Sequence, residues 1–261
     1  MCGIAGIYGK TDKNQLEKIL ETQKKRGPDG QDIWISPDKN TMLGHVRLAI
    51  MDPEGGKQPL SNEDQTLWAV VNGEIYNYHS LRSQLEGRHT FRTNSDSEIL
   101  LHLFEEKGAD MVKDLDGMFA FAIWGSHGLF LARDPIGIKP LYYGYDQSSN
   151  FVFSSEIKAI MNHADIVYEF PNGTYMVDNK TPILYHQYPI PSESITNTEI
   201  AIQEIKKKLE QAVVKRLMSD VPLGVFLSGG LDSSLISAIV KKNISSDLHS
   251  FAVGLDNSTD I

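Results

Sequence analysis

The chain is poor in cysteine, in basic charge and in long apolar runs. One of its 261 residues is a cysteine, so it can build neither a disulfide framework nor a cysteine-based zinc site. Lys and Arg number 25 against 34 Asp and Glu, a net charge of −9. That balance lacks the basic face a phosphate backbone needs, and no nucleic-acid partner is expected. No apolar run approaches the roughly 20 residues of a membrane helix, and the N-terminus lacks the basic start and apolar core of a signal peptide. No membrane partner is expected, and the cytosol is the expected location. Hydrophobic residues at 41 % and charged residues at 23 % are ordinary for a globular protein, long enough for one large domain or two modest ones.

What is present begins at once. Cys2-Gly3-Ile4-Ala5-Gly6-Ile7-Tyr8 alternates small and apolar residues and reads as a buried strand. Leu16, Ile19 and Leu20 predict an amphipathic helix over 14–25, broken by the turn residues Arg26-Gly27-Pro28-Asp29-Gly30. Strands are predicted at 32–36, 42–50 and 67–72. Ser95-Asp96-Ser97-Glu98 has the capping-box pattern that opens a helix. Short strands at 118–124, 129–133, 140–145 and 151–154 read as an antiparallel meander. Strands early and late with helices between them predict two sheets with helical outer layers, an α+β arrangement.

The character then changes. Residues 182–197 are rich in Pro, Ser and Thr and read as a linker, followed by a helix over 199–218. An apolar strand at 221–227, a Gly-rich loop at 228–232, a helix at 233–242 and a second apolar strand at 248–253 follow. This β-loop-α-β order opens a parallel, doubly wound sheet.

Position 2 gives a cysteine a special option. Removal of Met1, which is normal before a small residue, would leave Cys2 with a free α-amine of pKa near 8. That amine can serve as the base for the thiol.

The blocks MCGIAG, RGPDG, HVRLAI, QPLSN, NGEIYNY, SDSE, DGMFAF and RDPIGIKPLYY occur in that order between Cys2 and Tyr143. Together they resemble the class II glutamine amidotransferases, a branch of the N-terminal-nucleophile hydrolases. The resemblance implies a four-layer αββα sandwich over 2–190, with Cys2 as nucleophile and no cofactor for glutamine hydrolysis. It implies that the Asn72 amide and the Gly73 N–H form an oxyanion hole. Arg47 would pair with the α-carboxylate of glutamine, with Leu48, Ala49, Ile50 and Met51 beside it in the substrate site. Glu74 and Asp96 would hold the substrate's amide and α-amino groups, and 26–30 would be a mobile loop closing over glutamine. Asn72-Gly73 also reads as a hairpin turn, and Asp96 as a first-turn acid favoured by the helix dipole. His45 reads as structural.

Ser228-Gly229-Gly230-Leu231-Asp232-Ser233-Ser234 lies between a strand and a helix, where glycines and a helix N-terminus make an anion site. It lacks the Gly-Lys-Ser/Thr of a Walker loop and resembles the pyrophosphate loop of ATP pyrophosphatases. This implies ATP and Mg2+, with Asp232 near the metal and Leu227 and Val253 lining an adenine pocket. An amidotransferase joined to SGGLDSS is similar to the glutamine-hydrolysing asparagine synthetase family, whose substrates are glutamine, aspartate and ATP. A glutaminase or amidotransferase serving another acceptor, and a non-catalytic remnant, are the alternatives. The sequence ends at Ile261 within NSTDI. The region 198–261 is therefore expected to be an incomplete α/β nucleotide-binding domain with exposed apolar strands. A homodimer, or a partner supplying the rest of the synthetase domain, is the expected assembly.

Overall fold

The alternation at the start of the chain produces the first strand. In this computed structural model, which describes residues 1–10, 12–126, 128–191 and 194–254, β1 (Gly3–Tyr8) is followed by α1 (Lys13–Gln23). The Asp12 carboxylate caps α1 by accepting the Asn14 N–H. A hairpin of β2 (Gly30–Ile35) and β3 (Thr41–Arg47) comes next. The chain continues through β4 (Leu60–Ser61), β5 (Trp68–Ile75), α2 (Tyr78–Leu85) and α3 (Ile99–Lys107). Then come β6 (Gly117–Gly125), β7 (Gly128–Arg133), β8 (Tyr142–Tyr145), β9 (Phe151–Ser154) and the short α4 (Ile157–Ile160). The strands β10 (Ile166–Glu169), β11 (Thr174–Val177) and β12 (Ile183–Leu184) complete the first of two compact units, Met1–Tyr188.

Two six-stranded sheets result, in the orders β10-β8-β9-β1-β3-β2 and β12-β11-β7-β6-β5-β4. The expected meander is divided between them: β6 and β7 pair in one sheet, β8 and β9 in the other. The turn after β7 makes the switch. Its Asp134 carboxylate accepts the N–H groups of Phe119, Ile136, Ile138 and Lys139, folding the chain around one buried side chain. β12 falls inside the stretch that composition marks as a linker; Tyr185 beside it donates its hydroxyl to Arg133 O at 2.9 Å.

Period two sets the layers. Ile4, Leu43, Phe151 and Phe153 of one sheet meet Val70, Ala120, Ala122, Leu131 and Met176 of the other in a single buried cluster. Trp34 stacks on Trp68 at 5.0 Å across the same space. The neighbours Ala5, Ile7, Met42, Val46 and Val152 point the other way, onto Leu16, Ile19 and Leu20 of α1 and Ile160 of α4. On the far side of the second sheet, Phe104 of α3 packs on Phe130 at 5.0 Å. The order is helix, sheet, sheet, helix, the four-layer sandwich.

The second unit, Pro189–Ile261, contains α5 (Thr198–Val214), β13 (Gly224–Phe226), α6 (Leu231–Asn243) and β14 (His249–Phe251). β13 and β14 pair in parallel, as the β-loop-α-β reading requires, but each is only three residues long. A parallel strand is apolar on both faces and needs a layer on each. Here Phe226 is 85 % and Phe251 57 % exposed. No helix among the described residues is long and apolar enough to cross a membrane.

Candidate active site

The strand alternation that builds the core of the first unit also aims side chains into a cavity of about 230 Å³. Cys2 precedes β1 on the same side as the inward Ile4. Arg47 ends β3 in step with the inward Leu43, and Asn72 and Glu74 follow the inward Val70 along β5. All four line the cavity, with Leu48, Ile50, Met51, Gly73 and Asp96. Ala49 stands outside this lining, and its N–H donates to Asp29 Oδ2 at 2.8 Å.

Asn72 and Gly73 do not form a hairpin turn. They lie inside β5, opposite Ala120 and Phe119 of β6. β4 covers the other edge of β5 only at Trp68 and Ala69, which leaves the edge beyond open to side chains. There the Val71 N–H donates to Gln58 Oε1 at 2.6 Å and the Ile75 N–H to Asp96 Oδ2 at 2.7 Å. Backbone direction alternates along a strand, so the Gly73 N–H lies between these two on the same edge. The Asn72 side chain is buried; its Nδ2 lies 3.5 Å from Ser155 Oγ and its Oδ1 has no hydrogen-bond partner.

Cys2 Sγ accepts the Leu48 N–H at 3.4 Å. Burial pushes its thiol up from the ordinary value, while that N–H and nearby cations act against the shift. Arg47 is held by the turn that follows it, donating to Met51 O, Asp52 O and Pro53 O at 3.3, 2.6 and 2.7 Å. Burial raises the Glu74 carboxyl, and it raises Asp96 to about 6, with the Glu74 charge adding to the effect. Two carboxylates facing one cavity make its floor acidic. Lys139, also buried, supplies a cation from the turn beyond β7, although burial lowers its pKa.

Asp96 owes its position to a local device other than the expected capping box. Ser95 Oγ accepts the Ser97 N–H at 3.2 Å, but Glu98 does not reach back to Ser95. It accepts the Arg92 and Thr93 N–H groups, each at 2.7 Å, so residues 96–98 form a single tight turn and α3 begins at Ile99. The 26–30 segment is tied down at both ends. Arg26 Nε donates to Cys2 O at 2.9 Å, and the Asp29 N–H donates to Arg47 O at 2.9 Å. Gly27 lies against Val46, where a Cβ would come within 2.2 Å of backbone. His45 Nε2 lies 3.2 Å from Val71 O, and burial lowers the imidazole to about 3, leaving it neutral.

Sequence reasoning passed over Gln58, Ser95, Ser97 and Lys139, all of which line the cavity. Gln58 and Lys139 lie inside the blocks QPLSN and RDPIGIKPLYY, so their positions carried a signal that their residue types alone did not.

In the second unit, Ser228–Ser234 joins β13 to α6. Gly229 takes φ +80° with nothing within 4 Å of an added Cβ, and the N-terminus of α6 has no side-chain cap. Ser228 Oγ and Ser233 Oγ lie 3.1 Å apart beside it. An anion fits this cradle. Of the two expected adenine-lining residues, Leu227 is half-buried and Val253 is 94 % exposed.

The four-layer sandwich with a cysteine entering its first strand defines an N-terminal-nucleophile hydrolase fold. A family described as "Glutamine amidotransferase domain" matches residues 1–188, and one described as "Asparagine synthase" matches residues 204–261. The chain belongs to the glutamine amidotransferase family. It is 41 % identical over 283 residues to asparagine synthetase B [glutamine-hydrolyzing] of Escherichia coli, a match covering 100 % of this chain and 51 % of that protein. A probable asparagine synthetase of Dictyostelium discoideum is 41 % identical over 294 residues, covering 100 % of this chain and 52 % of that one. The chain thus spans about half the length of the curated relatives it matches. Among solved structures, a glutamine phosphoribosylpyrophosphate amidotransferase from B. subtilis aligns with TM-score 0.62 at 21 % identity, covering 95 % of this chain and 65 % of that one. An allosteric regulatory enzyme of purine biosynthesis aligns with TM-score 0.63 at 23 % identity and the same coverage. These two show the shared fold.

Proposed function

We propose that the first unit hydrolyses glutamine at Cys2, and that it is the ammonia-producing half of a cytoplasmic glutamine-dependent asparagine synthetase. The observation that carries the reading is the convergence of Cys2, Arg47, Asn72, Gly73, Glu74 and Asp96 on one cavity. Removal of Met1 frees the α-amine of Cys2, which takes the thiol proton. The thiolate adds to the side-chain carbonyl of glutamine, whose oxygen receives the Gly73 N–H and the Asn72 amide. Each such donor is typically worth ~3 kcal/mol to the transition state. The C–N bond breaks, the proton passes to the leaving nitrogen, and ammonia departs. Water then cleaves the glutamyl thioester to glutamate and restores the thiol.

Arg47 orients the substrate α-carboxylate, and Asp96 and Glu74 receive its ammonium and amide groups. The Asn72 amide serves best when Oδ1 accepts the Ser155 hydroxyl proton and the NH2 turns into the cavity, an exchange of N and O that leaves the side chain in place.

Ammonia is used in the second half, where ATP activates the β-carboxylate of aspartate as β-aspartyl-AMP. The Ser228–Ser234 cradle would hold the pyrophosphate, with Asp232 near Mg2+. Identity over the whole chain with glutamine-hydrolysing asparagine synthetases supports aspartate as the acceptor. Ammonia release from glutamine is the test, and it is expected to vanish in Cys2→Ala. Turnover persisting in that variant would overturn the reading.

A further inference from the structure

Away from the cavity, Glu63, His89, His102 and Glu105 bring one ligand atom each within 4.8 Å of one another. They come from three separate segments: the turn between β4 and β5, the chain after α2, and α3, where His102 and Glu105 are i and i+3 on one face. His102 Nδ1 lies 3.2 Å from Glu63 Oε2 and 3.2 Å from Glu105 Oε2. His89 Nδ1 lies 3.4 Å from Glu63 Oε1 and 3.5 Å from Glu105 Oε2. Ligands ~2.0 Å from a tetrahedral zinc ion lie ~3.3 Å from one another; the four contacts are near that length, with the two imidazoles meeting different oxygens of Glu63.

Two further features point to a metal ion. Glu63 Oε2 is buried and makes no hydrogen bond although an imidazole nitrogen is 3.2 Å away. The outer nitrogen of His89 also faces a carboxylate, Glu106 Oε1, at 3.2 Å, while His102 Nε2 lies 3.6 Å from Glu98 Oε1, beyond hydrogen-bond distance. A metal-bound imidazole is oriented in the way His89 is, by a carboxylate behind it. Asn62 Nδ2 fixes Glu105 from outside at 2.9 Å, and His102 is fully buried.

We infer that Glu63, His89, His102 and Glu105 form a binding site for a divalent first-row transition ion, with zinc the best fit to two imidazoles and two carboxylates. Bound there, the ion would pin the β4–β5 turn and the chain after α2 to α3. That helix follows directly on the Asp96 turn, and Glu98 serves both. The ion is structural and takes no part in glutamine hydrolysis.

The test uses the full chain carrying Cys2→Ala, so that no thiol competes, stripped with EDTA and titrated with Co2+ and Zn2+. One equivalent of Co2+ is expected to give the visible d–d band of a four-coordinate ion, and Zn2+ to raise the unfolding midpoint by roughly 5 °C. His89→Gln and Glu105→Gln, both at partly exposed positions, should abolish the band and the shift. His79→Gln on the exposed face of α2 should keep both. Absence of a stoichiometric band, or a band and shift unchanged in both His89→Gln and Glu105→Gln, would overturn the inference.

Discussion

Asp96 Oδ2 accepts the backbone N–H of Ile75 at 2.7 Å, fastening the turn before α3 to the strand that carries Asn72 and Gly73. The same contact brings Asp96 beside Glu74 in the cavity, where burial and that charge raise its pKa to about 6. The bond sets the position of the carboxylate, while burial raises its pKa against the lowering effect of the bond itself.

Glutamine affinity should therefore follow the ionisation of Asp96. Its proposed role requires the carboxylate, so KM for glutamine is expected to rise as pH falls below about 6, with kcat less affected. Asp96→Asn should raise KM at least about tenfold, near 1.4 kcal/mol, and flatten the profile. A folded-state pKa raised from 3.8 means that stability is greatest below that value and is lost as pH rises through about 6. Asp96→Asn should accordingly unfold at a higher temperature than the parent at pH 7.5, and at nearly the same temperature at pH 4.

His45 has the opposite sign. Burial lowers its pKa from 6.5 to about 3, so the folded state excludes a proton that the unfolded chain takes up. Stability is expected to fall as pH drops below 6.5, by roughly 3 kcal/mol at pH 4 from this residue alone. Denaturant midpoints across pH 4–7 for the parent and His45→Gln should converge toward acid.

Gly73 has no room for a side chain. A Cβ there would lie 2.5 Å from Met118 O and 2.8 Å from Phe119 Cα. Gly73→Ala should cost about 1–3 kcal/mol of stability, read by urea unfolding. The strands must also part at the proposed oxyanion donor, so glutamine hydrolysis should fall more than a hundredfold.

Ser155 joins three elements. Its hydroxyl accepts the Ile4 N–H at 3.0 Å and lies 3.5 Å from Asn72 Nδ2. Ser155→Ala leaves the buried Ile4 N–H without this partner and should cost about 1–3 kcal/mol. With the Asn72 amide free to turn, kcat should drop while KM for glutamine stays within about twofold. A change in KM alone would show that Ser155 does not act through Asn72.

The sandwich was legible because its signals are periodic. Small and apolar residues alternate in β1, β6 reads as a strand near its observed limits, and β3 reads as a strand whose expected end at 50 overruns its observed end at Arg47. The sheet switch between β7 and β8 was not legible, since it rests on one carboxylate, Asp134, gathering four N–H groups. Nor were β10, β11 and β12, whose short strands have too few alternations to register. At the site, ordered blocks pointed to Cys2, Arg47, Asn72 and Asp96. The open edge of β5, which aims the Gly73 N–H, is a property of pairing and cannot be read from residue types. Glu63, His89, His102 and Glu105 lie at spacings that match no metal motif, because three segments must fold together to join them.

The central claim is that Cys2 carries the glutamyl group. The most direct measurement is acid quenching of the Met1-processed chain during glutamine turnover, followed by peptide mass analysis. A glutamyl thioester on the peptide beginning at Cys2, absent when glutamine is omitted, is the predicted result. Glutamate and ammonia formed with the glutamyl group on another residue, or formed equally by a chain that retains Met1, would contradict the account.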